Sequence, residues 1–163
     1  MEADVEYLKG LRQRAIGCAI EVHRRLGPGL LESAYRDALV IELLLAGFEV
    51  QKERRIAIEY RGEPIGNAFR LDIVVEGQLV VEVKAVQKIH RVHVAQVLTY
   101  LKLANLPCGL LMNFNVTALR LGVRRLLHPD LFAALTRGAL NEDSPVVSTT
   151  SHLSTTRPRG GSN

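Results

Sequence analysis

The chain has 163 residues, 47% of them hydrophobic and 23% charged, which is the length and composition of one ordinary domain with some chain to spare. Its two cysteines, Cys18 and Cys108, stand among apolar neighbours and outside any CxxC pair, which argues against a zinc cluster or a disulfide framework and for a reducing compartment. A formal charge of +4 and a pI near 9.3 suit a nucleic-acid partner without requiring one.

The start, Met1-Glu-Ala-Asp-Val-Glu, lacks the basic-then-apolar pattern of a signal peptide. The most apolar helix, near Ala38 to Phe48, is interrupted by Glu42 and too short to span a bilayer. A cytoplasmic location and no membrane partner are therefore expected. Helical spacing of Leu8, Leu11, Ala15, Ile16, Ala19, Ile20, Val22 and Leu26 predicts a first helix from about Val5 to Leu26. Gly27-Pro28-Gly29 then breaks the chain, and a second helix is expected over Leu30 to Ala46, stopped by Gly47. Strands follow over Phe48 to Glu53, Ile56 to Tyr60 and Ala68 to Val75, with turns at Arg61-Gly62 and Glu76-Gly77. Leu79 to Val86 reads as a central strand, His90 to Ala104 as a helix, and Cys108 to Phe114 as a buried strand. A strand near Leu119 to Arg124 and a short helix near Leu131 to Leu135 complete the series. From about Asn141 the composition turns to Ser, Thr, Pro, Gly and Arg, so a domain over 1–140 and a disordered tail over 141–163 are expected. Helices alternating with strands in this order predict a mixed α/β fold with a central sheet.

The hairpin around Gly77 carries the informative chemistry. Side chains alternate along a strand, so Glu82 and Lys84 share a face. A three-residue loop centred on Gly77 sets Asp72 opposite Glu82, with Cβ atoms roughly 5 Å apart; a two-residue loop shifts the register and weakens the arrangement. Two carboxylates side by side among apolar residues repel each other and lose hydration, and a hard divalent cation relieves both penalties. The carbonyl of Val83 offers a further oxygen, and Lys84 then stands beside a metal-bound water, a pattern suited to phosphodiester hydrolysis. The plainer alternative is a solvated sheet face on which Glu82 and Lys84 pair with Asp72 or Arg70.

Residues outside the hairpin bear on that choice. Gly29-Leu-Leu-Glu32-Ser-Ala-Tyr35 spells GxxExxY, Asp72 precedes Glu82-Val83-Lys84, and Gln96-Val-Leu-Thr-Tyr100 spells QxxxY. With these motifs in order from about Ala15 to Asn115, the sequence resembles the PD-(D/E)XK nuclease superfamily, and within it the small GxxExxY proteins with RecB-like features. Leu71 stands where the superfamily's name has proline. The resemblance implies a restriction-endonuclease-like core, a central mixed β-sheet flanked by helices. It also implies a Mg²⁺ or Mn²⁺ site formed by Glu32, Asp72, Glu82 and Val83, with Lys84, Gln96 and Tyr100 joining the acids in catalysis. Gln96 and Tyr100 lie four apart on one helix face, which also fits a polar edge beside the Val97/Leu101 stripe. Glu32 fits equally well as an acid favoured by a helix N-terminus, and Tyr35 as a half-buried tyrosine.

Tyr35, Lys88 and His93 are the candidates for substrate contact. His90 and His93 lack companions at zinc-ligand spacing. The basic pairs Arg24-Arg25, Arg54-Arg55 and Arg124-Arg125 suit a phosphate backbone or plain solvation. The expected function is metal-dependent hydrolysis of DNA, less so of RNA. A nuclease-fold module that binds nucleic acid or a protein partner with little turnover is the alternative, and a homodimer or a separate protein partner is compatible with either.

Overall fold

The computed structural model of the protein describes residues 2–131 and Ala133. The chain order is α1 (Glu2–Leu26), α2 (Glu32–Leu45), β1 (Val50–Tyr60), β2 (Glu63–Val75), β3 (Leu79–Lys84), α3 (Arg91–Ala104), β4 (Cys108–Asn113), α4 (Leu119–Gly122) and β5 (Val123–Leu127). The five strands form one sheet in sequence order, antiparallel except for the β3–β4 pair, which α3 connects as a crossover.

Two apolar layers follow from the alternation of the strands. Val81 and Val83 face the α1/α2 side with Leu11, Ala15, Val22, Leu39 and Leu43. Val80, Val74 and Leu111 face α3 through Val97 and Leu101. Each fully buried Leu or Val contributes about 1.5–3 kcal/mol relative to exposure, so the β3 backbone, with five of its six residues buried, is held from both sides. Glu82 follows Val80 by two residues and therefore points to the α3 side.

Local chemistry fixes the connections. At the end of α2, Gly47 adopts φ +84°, Phe48 N–H donates to Leu43 O (3.1 Å) and Gly47 N–H to Leu44 O (3.0 Å), a Schellman closure. The loop Glu76-Gly77-Gln78 pairs Val75 with Leu79, Val74 with Val80 and Ile73 with Val81. This is the three-residue loop centred on Gly77 that the carboxylate argument required.

Four expectations are corrected. The segments Phe48–Glu53 and Ile56–Tyr60 are one strand, β1, because Glu53 takes φ +54° and the register shifts between Ile56 and Ile58, kinking the strand without ending it. β2 begins at Glu63 rather than Ala68, since the two-residue Arg61-Gly62 turn pairs Tyr60 with Glu63. Leu119–Gly122 is a helical turn, and the last strand is Val123–Leu127. The backbone there crosses β4 so closely that a Cβ on Gly122 would lie 2.1 Å from Asn113 O. Cys108 is buried and Cys18 partly so. The short helix expected near Leu131 begins at Pro129; its continuation to Leu135 and the expected tail over 141–163 lie outside the described residues. Among the described residues no helix is long and apolar enough to cross a membrane.

Candidate active site

The β2–β3 ladder stops at Ile73 and Val81, and continuing its register by one step sets Asp72 against Glu82. In place of a backbone rung, Val83 N–H donates to Asp72 Oδ2 at 2.9 Å. The carboxylate thus substitutes for a strand partner while the two strands part. A strand residue's N–H and C=O point to the same side, so the Val83 carbonyl faces the same opening. Lys84 Nζ donates to Glu82 Oε1 at 2.7 Å. Beyond Lys84 the chain is pinned by Asn113, whose side chain accepts from Val86 N–H (3.0 Å) and donates to Val86 O (2.8 Å). Glu32, the first residue of α2, accepts from Ala85 N–H at 3.2 Å and so reaches the end of β3.

Glu82 and Lys84 are not on a solvated face. The Glu82 side chain is 5% exposed and that of Lys84 13%. Glu82 Oε2 is buried and has no hydrogen-bond partner among the described residues. Burial and the neighbouring Asp72 charge push the Glu82 carboxyl up from the ordinary 4.5 to about 7, with Glu32 adding and Lys84 opposing. For Lys84, burial works against the charged form, but the hydrogen bond and charge of Glu82, with Glu32 and Asp72, outweigh it and raise the ammonium above its usual range. Tyr100 accepts a hydrogen bond from Gln96 Nε2 and packs edge-on to Phe69. Burial raises its hydroxyl, and it feels the charges of Glu82, Lys84 and Asp72. The QxxxY pair is therefore electrostatically part of the cluster.

Three further charged residues complete it, of which the sequence suggested only Arg70, as a partner on a solvated face. Arg36 Nη1 donates to Asp72 Oδ1 at 3.1 Å, and Arg36 Nη2 forms an ion pair with Glu53 Oε1 at 3.2 Å. Arg70 Nη1 reaches the same Glu53 oxygen at 3.3 Å. The one available signal was that Arg36 follows Glu32 by four residues and shares its helix face.

A family model described as the PD-(D/E)XK nuclease superfamily matches residues 9–126. The chain belongs to that superfamily. Its mixed sheet flanked by helices is the superfamily's α/β core, as the sequence predicted, and membership in a superfamily of nucleases points to nucleic acid as the substrate class and hydrolysis as the reaction class. No curated protein and no solved structure gives a significant match.

The remaining candidates are placed differently. Tyr35 is fully buried, stacked on Phe114 at 4.6 Å between centroids, with its hydroxyl donating to Gly27 O and accepting from Leu30 N–H. It offers no surface to a substrate and instead holds the link between α1 and α2. His93 Nδ1 accepts from His90 N–H at 3.1 Å, closing the start of α3. Lys88 is exposed on the link between β3 and α3. Among the described residues no three Asp, Glu, His or Cys side chains stand close enough, as they are, to hold a metal ion. The donors nevertheless fit a hard cation. An unpartnered buried carboxylate oxygen on Glu82, with Asp72 raising its proton affinity, is the arrangement that a divalent cation would relieve.

Proposed function

We propose that this chain is a metal-dependent nuclease hydrolysing phosphodiester bonds of DNA, acting at the cluster of Asp72, Glu82 and Lys84. The observation that carries the reading is Glu82 Oε2, buried without a partner beside a second carboxylate and a lysine. Lys84 offsets that desolvation only in part, and the Glu82 carboxyl stays raised to about 7 by burial and by Asp72. Mg²⁺ or Mn²⁺ would be held by Asp72 and Glu82, with the Val83 carbonyl and Glu32 completing the oxygen set. Bound there, the cation supplies charge stabilisation at the phosphate and a lowered pKa for its water.

The chain's own residues do the rest. Asp72 is oriented by Val83 N–H through Oδ2, which leaves Oδ1, now paired with Arg36, as the oxygen available to a cation. Lys84, held by Glu82 at 2.7 Å, would donate to the charge that develops on the phosphate as the water oxygen bonds to phosphorus and the P–O bond to the leaving strand breaks, the water giving its proton to solvent and the departing oxygen taking one from solvent. Gln96 and Tyr100 form a coupled hydrogen-bonding pair at the α3 wall, suited to holding a phosphate oxygen or the lysine. Glu32 fixes the end of β3 through Ala85 N–H. Gly29–Tyr35 and Gln96–Tyr100 support membership of the GxxExxY group with RecB-like features.

Of the basic pairs, Arg24 and Arg25 are both tied to Glu21, at 2.8 and 2.6 Å, and Arg124 donates to the Leu121 and Val123 carbonyls, which leaves Arg54-Arg55 better suited to a phosphate backbone. The rival, a nuclease-fold module that binds with little turnover, draws support from Arg36, which already occupies Asp72 Oδ1. Incubating labelled single- and double-stranded DNA with Mg²⁺, Mn²⁺ or EDTA separates the two. Metal-dependent cutting that Lys84→Ala abolishes is expected; a folded protein that binds DNA but cuts neither form supports the binding module instead.

A further inference from the structure

Resting on that proposed site, we infer that Arg36 is its internal counter-cation: it holds the metal's place on Asp72 until a divalent ion displaces it, and then donates to a phosphate of the bound strand. Asp72 has two oxygens. Oδ2 is committed to Val83 N–H at 2.9 Å, so Oδ1 is the one left for a cation, and Arg36 Nη1 is 3.1 Å from it. A guanidinium and a divalent ion repel each other strongly at such distances, so metal entry and the Arg36–Asp72 contact exclude each other.

Where Arg36 goes is constrained. Nη2 remains tethered to Glu53 Oε1 at 3.2 Å, while Nε is buried with no partner and Nη1 is released. The side chain lines an open groove of about 490 Å³ with Leu30, Leu31, Glu32, Ser33 and Ala85, where α2 meets the end of β3. A swing about the Glu53 tether brings two unpaired N–H donors toward that groove, and a planar fork of donors is well matched to a phosphate.

Charge counting points the same way. Around the site stand four carboxylates, Glu32, Glu53, Asp72 and Glu82, and three cations, Arg36, Arg70 and Lys84. With all ionised this leaves a single negative charge. A divalent ion converts it to a single positive charge, which one phosphodiester group neutralises. The cluster is thus balanced for a metal and a phosphate together, and Arg36 is the one member whose present partner must change.

Calorimetric titration of the full chain with Mn²⁺ alone, without nucleic acid, tests the exclusion. Arg36→Met is expected to bind Mn²⁺ at least about tenfold more tightly than the unmodified chain, the scale of one charged hydrogen bond no longer competed. Arg70→Met removes the same charge from the same cluster without touching Asp72, and its gain is expected to be much smaller. Should Arg36→Met fail to fold by circular dichroism, Arg36→Gln carries the same expectation.

Binding of a hydrolysis-resistant phosphorothioate DNA tests the second half. In Mn²⁺ the Arg36 variant should lose about tenfold in affinity, and in EDTA it should match the unmodified chain. Equal or weaker Mn²⁺ binding by the Arg36 variant would overturn the inference, as would a gain by Arg70→Met as large as that of Arg36→Met. An Arg36 effect on DNA that persists undiminished in EDTA would do the same. The Mn²⁺ titration reads the same whether or not DNA is cut, so tightened metal binding without cleavage would sink the nuclease reading and leave this one standing.

Discussion

Raising the pH should destabilise the metal-free protein in a window where most proteins are indifferent. The Glu82 carboxyl sits at about 7 in the folded chain against an ordinary 4.5, driven by burial and by Asp72. A folded pKa above the unfolded one means that the folded state prefers the proton. The stability it confers is fully present below about pH 4.5 and is lost as pH rises through 7. A difference of that size corresponds to roughly 3 kcal/mol, a large share of a domain's net stability. Carboxylates with the opposite shift do not interfere. Glu21, lowered to about 2 by Arg24 and Arg25, and Asp37, lowered by Lys52, gain their stabilisation well below pH 5. Urea melts of metal-free protein at pH 5, 6, 7 and 8 should therefore show falling stability, and Glu82→Gln should remove most of the slope. Saturating Mg²⁺ should reverse the trend, because the ion binds the carboxylate form and stabilises by mass action. Unchanged stability from pH 5 to 8 in the unmodified chain, or an equal slope in Glu82→Gln, would refute the reasoning.

Other outcomes follow from the packing. Tyr35→Phe leaves Gly27 O and Leu30 N–H without their partner and should cost about 1–3 kcal/mol in urea denaturation, with Mn²⁺ affinity unchanged. Gly122→Ala places a Cβ 2.1 Å from Asn113 O and should destabilise by about 1–3 kcal/mol, seen as a lower thermal midpoint; an unchanged midpoint would show that the β4–α4 crossing is looser than described. Burial pushes the Cys108 thiol up to about 11, so iodoacetamide at pH 8 should leave it unmodified in the folded chain and alkylate it in urea. Cys18, half-buried, should react first in mass spectra of the native protein.

Much of the site was legible because it depends on local rules. The Glu76-Gly77-Gln78 loop fixes the register, register sets Asp72 against Glu82, and alternation puts Glu82 and Lys84 on one face. The Arg36–Glu53–Arg70 network was not legible, since it exists only once α2 lies against the β1–β2 hairpin, and a lone arginine on an amphipathic helix reads as solvated. Tyr35 illustrates the converse. Its place in GxxExxY suggested the substrate, but the tight Gly27-Pro28-Gly29 link needs a buried hydroxyl to satisfy its backbone groups, and Tyr35 supplies it. Arg54-Arg55 fell between two expected strands; a positive φ at Glu53 and the register shift between Ile56 and Ile58 let a single strand run through them. Leu119 to Gly122 reads as strand from its apolar residues, and only the close approach to Asn113 shows why a helical turn is there.

The most direct test is a crystal soaked in Mn²⁺ and measured near the manganese absorption edge. One strong anomalous peak is expected in contact with Asp72 Oδ1 and Glu82 Oε2, with Arg36 turned away from Asp72. An absent peak at saturating Mn²⁺, or one bound elsewhere with the Arg36–Asp72 contact intact, would contradict a metal-dependent nuclease built on these residues.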